Sequence, residues 1–308
     1  VITVAGLSPS LDLTYLVDRL EPGAIHRPSE VVRCAGGKSL NLARAAASLG
    51  AQVEIVALLG GSTGDYLAEQ LLAEGVSVIM VATPAETRTC VSIAAADTGR
   101  LTELYPRADP VPADVWQTFH DQLGTSLRRR PGWLAITGSA PRGLEPEALA
   151  GLVRLATDAG VRVAVDTHGP ALAAAITARP ELVKINRYEA AELMQVAPDG
   201  DLAERAEAVR ERTGGTVVIT DGEHGAVATD GRGRWRVAAS PERGSFPVGS
   251  GDSFLGGLLG ALDQGSDLPT ALRRGTGAGT ANALIPGPAR FRTDAVERIA
   301  KELDVEEL

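Results

Sequence analysis

Short aliphatic runs recur along the chain at Ile2–Leu7, Val53–Leu59, Val76–Val81, Trp133–Thr137, Val161–Asp166, Leu182–Asn186 and Val217–Thr220. Their apolar residues are nearly uninterrupted, which predicts strands buried on both faces. Between them lie stretches with helical spacing, such as Tyr66-Leu67-Leu71-Leu72, Leu149-Leu152-Val153-Leu155 and Leu202-Ala206-Val209. Strands alternating with helices imply parallel crossovers, so the pattern predicts an α/β fold on a doubly wound, mainly parallel sheet flanked by helices. Two segments break the rhythm. Residues of about 12–34 and 87–104 alternate in the manner of exposed strands, as in Thr89-Cys90-Val91-Ser92-Ile93. Both are too short for a domain and predict a small β-sheet flap. From about Ser250 to the end the pattern is helical. No repeat or linker interrupts it, so residues 1–308 read as a single domain carrying a flap.

Composition narrows the function. The apolar fraction of 44% supplies an ample core, and 35 Gly and 18 Pro with only 4% aromatics suit tight turns around aliphatic packing. The net charge of −9 lacks the positive field that nucleic-acid binding requires. No apolar run approaches the roughly 18 residues of a membrane span. The opening Val1-Ile2-Thr3-Val4-Ala5 reads as a strand and lacks the basic-then-apolar order of a secretory leader. Two cysteines, Cys34 and Cys90, are too few for a disulfide framework and predict a reducing, cytoplasmic setting.

Several motif resemblances fail. Gly37-Lys38-Ser39 looks like the end of a Walker A loop, but the first glycine it requires is Val32. Gly249-x-Gly251 is not completed by a third glycine, because Phe254 stands there. Ser139 lacks the glycines of a nucleophile elbow, and His26, His120, His168 and His224 have no metal-ligand spacing.

Two glycine turns hold more promise. Val248-Gly249-Ser250-Gly251-Asp252-Ser253-Phe254 runs straight into helical spacing at Phe254, Leu255, Leu258, Leu259 and Leu262. Such a turn exposes unpaired amides at the positive end of a helix, a place for phosphoryl oxygens. Asp252 beside them is positioned to accept a proton from an attacking hydroxyl. The plainer reading is an ordinary helix start with an acidic cap. Cys34-Ala35-Gly36-Gly37-Lys38-Ser39-Leu40-Asn41 repeats the arrangement ahead of an alanine-rich helix ended by Gly50. Lys38 and Asn41, one turn apart, suit a charged polyol, although a plain loop with a solvated lysine gives the same string. Asp12, Ser139, Lys184, Asn186 and Thr220 all lie at or just after the C-terminal ends of predicted strands, the sheet edge where open α/β sheets bind ligands.

The ordered set resembles the ribokinase-like (PfkB) carbohydrate kinases. It comprises Ser8-Pro9-Ser10-Leu11-Asp12, Gly36-Gly37-Lys38-x-Leu40-Asn41, Arg88, Gly138-Ser139-x-Pro141, Lys184-x-Asn186-x-x-Glu189 and Gly249-Ser250-Gly251-Asp252. Within that family it is most similar to the branch of 1-phosphofructokinases, tagatose-6-phosphate kinases and minor 6-phosphofructokinases. The resemblance implies an ATP- and Mg²⁺-dependent kinase with Asp252 as catalytic base and Gly249, Ser250 and Gly251 as an anion hole. Asp12, Gly36, Gly37, Asn41, Glu103 and Ser139 would meet the sugar, and Lys38 and Arg88 its phosphate. Lys184, Asn186, Thr220, Gly222, Gly225 and Asn282 would line the nucleotide site, and Glu189 would organise the metal. The flap would be a lid that pairs two chains as a homodimer, with His26 and Arg27 within reach of the sugar phosphate. Four departures from the branch bear on the sugar: Ser39, Ile185, Phe246 and the run Leu104-Tyr105-Pro106-Arg107. The expected reaction is phosphorylation of fructose 1-phosphate, fructose 6-phosphate or tagatose 6-phosphate. The alternatives are a kinase of an unphosphorylated sugar or nucleoside and a non-catalytic sugar-phosphate sensor.

Overall fold

A computed structural model describes residues 1–308. In chain order, β1 (Ile2–Gly6) is followed by β2 (Ser10–Val17), β3 (Glu30–Gly36), α1 (Lys38–Ser48), β4 (Val53–Leu59) and α2 (Gly61–Ala73). Then come β5 (Ser77–Ala82), β6 (Thr89–Ala95), β7 (Arg100–Leu104), α3 (Ala113–Arg129), β8 (Trp133–Thr137) and α4 (Glu147–Asp158). Next are β9 (Arg162–Asp166), α5 (Gly169–Thr177), β10 (Leu182–Asn186), α6 (Arg187–Met194), α7 (Leu202–Thr213) and β11 (Thr216–Thr220). The chain ends with β12 (Ala226–Thr229), β13 (Arg234–Val237), α8 (Ser250–Asp263), α9 (Leu268–Ala283), α10 (Thr293–Glu302) and β14 (Val305–Glu307).

Every predicted aliphatic run is a strand of the 10-stranded sheet, ordered β14-β13-β12-β11-β10-β9-β8-β1-β4-β5. The strands from β11 to β5 are parallel, and β12, β13 and β14 extend one edge in antiparallel fashion. Alternate side chains explain why the runs are apolar throughout. Val53, Ile55, Ala57 and Leu59 of β4 enter the core beneath α1, α8 and α9, while Val56 and Leu58 enter the one beneath α3, α4 and α5. The expectation that the C-terminal third is helical to its end needs correction. Three helices are present, but the chain closes with β14 paired to β13. A strand of three residues, one half-buried and two exposed, carries no periodic signal long enough to be read.

The order along the sheet reverses at β1, which lies between β8 and β4. Such a switch point opens a crevice at the strands' C-terminal ends. Over that edge stands the second sheet, of four strands ordered β3-β2-β6-β7, formed by the two segments with alternating pattern. Both cysteines lie in it as buried thiols, in register with Asp12 on either side. No helix is long and apolar enough to cross a membrane.

Candidate active site

The crevice gathers side chains from several strand ends and three helix starts, those of α1, α6 and α8. Asp166, the last residue of β9, is its electrostatic centre. Lys184 Nζ donates to its Oδ2 at 2.7 Å and Lys38 Nζ to its Oδ1 at 2.9 Å. Burial alone would push the Asp166 carboxyl up, but the two ammonium groups outweigh it and hold the group below the usual carboxylate range. In return Asp166 holds the Lys38 ammonium well above its ordinary value.

Asp252 sits in the first turn of α8, 6% exposed, and accepts a hydrogen bond from Asn41 Nδ2 at 2.8 Å. Burial pushes its carboxyl up to about 6, against the opposing pull of Lys38, while the negative charge of Asp166 reinforces the rise. Gly249 ahead of it has φ +83°, and a Cβ there would lie 2.8 Å from Pro288 Cβ, so the turn needs glycine on two counts. At Gly251 a Cβ would fall 3.0 Å from Lys184 Nζ, which brings that ammonium onto the helix start. The N–H groups of Gly251 and Asp252 have no intramolecular acceptor, as the first turn of a helix leaves them. The Ser250 amide is different, because it donates to the Pro247 carbonyl at 3.1 Å. The expectation that all three residues of the turn supply anion-binding amides is corrected on this point.

Asn186 and Glu189 form a capping box at the start of α6. Asn186 Oδ1 accepts from the amides of Tyr188 and Glu189, each at 2.9 Å, and the Asn186 amide donates to Glu189 Oε2 at 2.8 Å. This leaves Glu189 Oε1, 3.9 Å from Lys38 Nζ, facing the crevice. One cavity, of about 350 Å³, lies between the β11 end and α8; Thr220, Gly222, Gly225, Ser250 and Gly251 line it. Asn282 is not among its walls. That side chain is fully buried and donates to the Val248 carbonyl at 2.8 Å and to Ser250 Oγ at 3.0 Å, while accepting from the Ala289 amide at 2.6 Å. The expected contact with a nucleotide is therefore corrected: Asn282 ties the glycine turn in place from behind.

A second cavity, of about 390 Å³, lies on the other side of Lys38. Lys38, Arg88, Arg107, Arg142 and Ser139 line it. Asp12 lies on β2 with Ser10 Oγ donating to its Oδ1 at 2.6 Å, and burial pushes its carboxyl up. The carboxylate rests against the Cα of Gly36, where any Cβ would collide with it. At Gly37, φ +85°, a Cβ would lie 2.9 Å from the Ser8 carbonyl. Glu103 does not join this group: it is exposed on β7, lines neither cavity, and accepts from the Tyr105 hydroxyl at 2.5 Å. Alternation had placed Glu103 in the flap but not on which face. His26 and Arg27 lie on the loop between β2 and β3, where His26 Nε2 contacts the Glu21 carbonyl at 2.9 Å.

Sequence reasoning missed Asp166, Arg107 and Arg142. Asp166 left a trace, an ionisable residue at the end of a strand-like run, in the position that singled out Lys184 and Asn186. The arginines gave none, since a loop arginine is ordinarily solvated.

The sequence pattern of the pfkB family carbohydrate kinases matches residues 2–293. Tagatose-6-phosphate kinase of Staphylococcus epidermidis is 27% identical over 307 residues, covering 98% of each chain. The 1-phosphofructokinase of Rhodobacter capsulatus is 34% identical over 284 residues, covering 89% of this chain and 88% of its own. Phosphofructokinase-2 from Escherichia coli, solved in complex with potassium, superposes with a TM-score of 0.91 at 29% identity, covering 98% of both chains. With sequence pattern, relatives and architecture in agreement, the chain belongs to the pfkB family of carbohydrate kinases.

Proposed function

We propose that the protein transfers the γ-phosphoryl group of ATP to a hydroxyl of a ketohexose phosphate, giving a bisphosphate and ADP. One observation carries this reading: a buried Asp252 with raised proton affinity directly follows Ser250 and Gly251, which line the glycine-turn cavity, and feels the charge of Lys38, which lines the cation-walled one. The relatives named for tagatose 6-phosphate and phosphofructose chemistry support the acceptor class.

The acceptor hydroxyl oxygen attacks the γ-phosphorus as the bond to the β–γ bridging oxygen breaks and ADP departs. Its proton passes to the Asp252 carboxylate, whose raised affinity suits it to that task near neutral pH. The free amides of Gly251 and Asp252, with Lys184 beside them, meet the charge on the transferred group. Asn41 fixes the carboxylate, and Asp12, held over Gly36, meets sugar hydroxyls. Thr220, Gly222 and Gly225 accommodate the nucleotide.

The donor set fits a magnesium ion held mainly by phosphate oxygens and water. Glu189 has one oxygen beyond its cap, and no group of three or more His, Cys, Asp or Glu forms a cage. When bound, such an ion neutralises phosphate charge. The four-stranded sheet would act as a lid on one 1–308 kinase domain, excluding water from the transfer. Leu104 on this sheet and Ile25 on its β2–β3 loop, both exposed, suit pairing of two chains into a homodimer. The two free, buried thiols accord with a cytoplasmic enzyme.

ADP release across free and phosphorylated ketohexoses tests the reading, with Asp252→Asn beside the wild type. Turnover of a ketohexose phosphate, lowered on the order of 10²- to 10⁴-fold in kcat by the substitution, is expected. Binding without any turnover would make the protein a sensor, and turnover of free sugars or nucleosides alone would replace the acceptor class.

A further inference from the structure

The cation-walled cavity contains no acidic side chain, yet its four cations are not equally free. Lys38 is held by Asp166 at 2.9 Å. Arg88 gives Nη1 to the Pro106 carbonyl at 2.9 Å and Nη2 to the Ser8 carbonyl at 3.3 Å. Arg107 makes no hydrogen bond or ion pair, and Arg142 makes only a 3.3 Å contact to the Ala108 carbonyl. The two arginines come from loops that would not otherwise be related. The Val111 amide donates to the Arg142 carbonyl at 2.9 Å, which staples residues 105–112 to residues 138–144. Arg88, through Pro106, fixes the backbone one residue before Arg107. The pair is thus presented by backbone contacts, with its guanidinium groups unspent.

We infer that Arg107 and Arg142 are the side chains that read the phosphate the acceptor brings with it, more directly than the Lys38 and Arg88 singled out by sequence. The inference rests on the reading of the protein as a ketohexose phosphate kinase. A phosphate monoester near neutral pH carries a charge approaching −2 and three acceptor oxygens. Two guanidinium forks facing a wall without carboxylates match that group in charge and in geometry. A hydroxymethyl group at the same end of a free sugar would gain nothing comparable. Arg107 falls within the run that departs from the phosphosugar branch, so this chain supplies the cation from a position of its own.

The test uses the phosphosugar that the wild type turns over fastest, its unphosphorylated parent, and inorganic phosphate as a competitive inhibitor. Arg107→Gln and Arg142→Gln are each expected to raise KM for the phosphosugar about 10- to 100-fold, the worth of a charge-assisted hydrogen bond, with kcat nearly unchanged. Inhibition by inorganic phosphate should weaken by a similar factor, KM for the parent sugar should stay constant, and Arg142→Lys should recover part of the loss. Both side chains are exposed, so the variants should fold. Equal rises in KM for phosphosugar and parent, or phosphate inhibition unaltered in every variant, would overturn the assignment. If the wild type turns over only free sugars, the acceptor reading falls. The phosphate arm then still decides the arginines, since weakened inhibition upholds them and unaltered inhibition removes them.

Discussion

Two aspartates lie in the same crevice at nearly the same depth, Asp166 at 0% and Asp252 at 6% exposure, and they are driven in opposite directions. Burial pushes both carboxyls up, so their neighbours decide. Asp166 holds an ammonium on each oxygen, at 2.7 and 2.9 Å, and stays ionised. Asp252 has one hydrogen-bond partner, the neutral amide of Asn41 at 2.8 Å, and the pull of Lys38 is opposed by the negative charge of Asp166, so burial prevails there. The first is a fixed charge that organises two lysines. The second is a group whose proton can be exchanged. A kinase site needs both, and identical side chains become different reagents through the placement of two lysines.

The largest test of this contrast removes the fixed charge. Asp166→Asn leaves Lys184, 4% exposed, as a buried ammonium without a counter-ion. Breaking such a pair on one side costs about 3–5 kcal/mol, so the denaturation midpoint should fall steeply. Adding Lys184→Met should restore most of the stability and none of the phosphoryl transfer. If the single variant is as stable as the wild type, the triad is not the electrostatic centre of the crevice.

Asp166 also shows how far the sequence could be read. Buried parallel strands announce themselves by uninterrupted aliphatic runs, so the seven strands from β11 to β5 were legible to within a residue. Strands β12 and β13 have only four residues each and lie near an edge, where pattern is weakest. In the site, the glycine turns were legible because a positive φ or a close approach permits little else, as at Gly37 and Gly249. Asp166 was not, because its meaning comes from Lys38 and Lys184, which are distant in the chain and adjacent only in the fold. The same holds for Asn282. An amide in a helix looks alike whether it faces a ligand or, as here, ties down a turn.

The second test concerns stability against pH. A carboxyl raised in the folded state, here from 3.8 to about 6, binds its proton more tightly folded than unfolded. Its contribution is therefore fully present below about pH 4 and lost as pH rises through about 6. A shift of that size corresponds to about 3 kcal/mol at most. Asp252→Asn, which mimics the protonated form, should match the wild type at pH 4 and exceed it by a few degrees in Tm at pH 8. Asp166 works the other way: its lowered value gives stability at neutral pH that is lost as pH falls through it. If Asp252→Asn shows no gain at pH 8, the carboxylate is not held at a cost.

The smallest effect separates the two aspartates most sharply. The acid limb of kcat/KM should follow ionisation of Asp252, with activity falling about tenfold per pH unit below about 6. Asn41 Nδ2 donates to the charged form of this carboxylate and lowers its proton affinity. Replacing Asn41 with Leu removes that donor in a pocket where Asn41 is itself only 3% exposed. The acid limb should therefore move to higher pH, by less than about one unit, since one hydrogen bond to a charged group carries roughly 1.5–3 kcal/mol and part of it is offset by relaxation. Asn41 also stands where sugar hydroxyls are proposed to bind, so KM will change as well. The position of the limb is independent of that change, because kcat/KM reports the proton equilibrium of the free enzyme. Asp166 makes no hydrogen bond with Asn41, and its two lysines hold it ionised throughout this range. A limb that stays in place in Asn41→Leu would mean that a group other than Asp252 governs it.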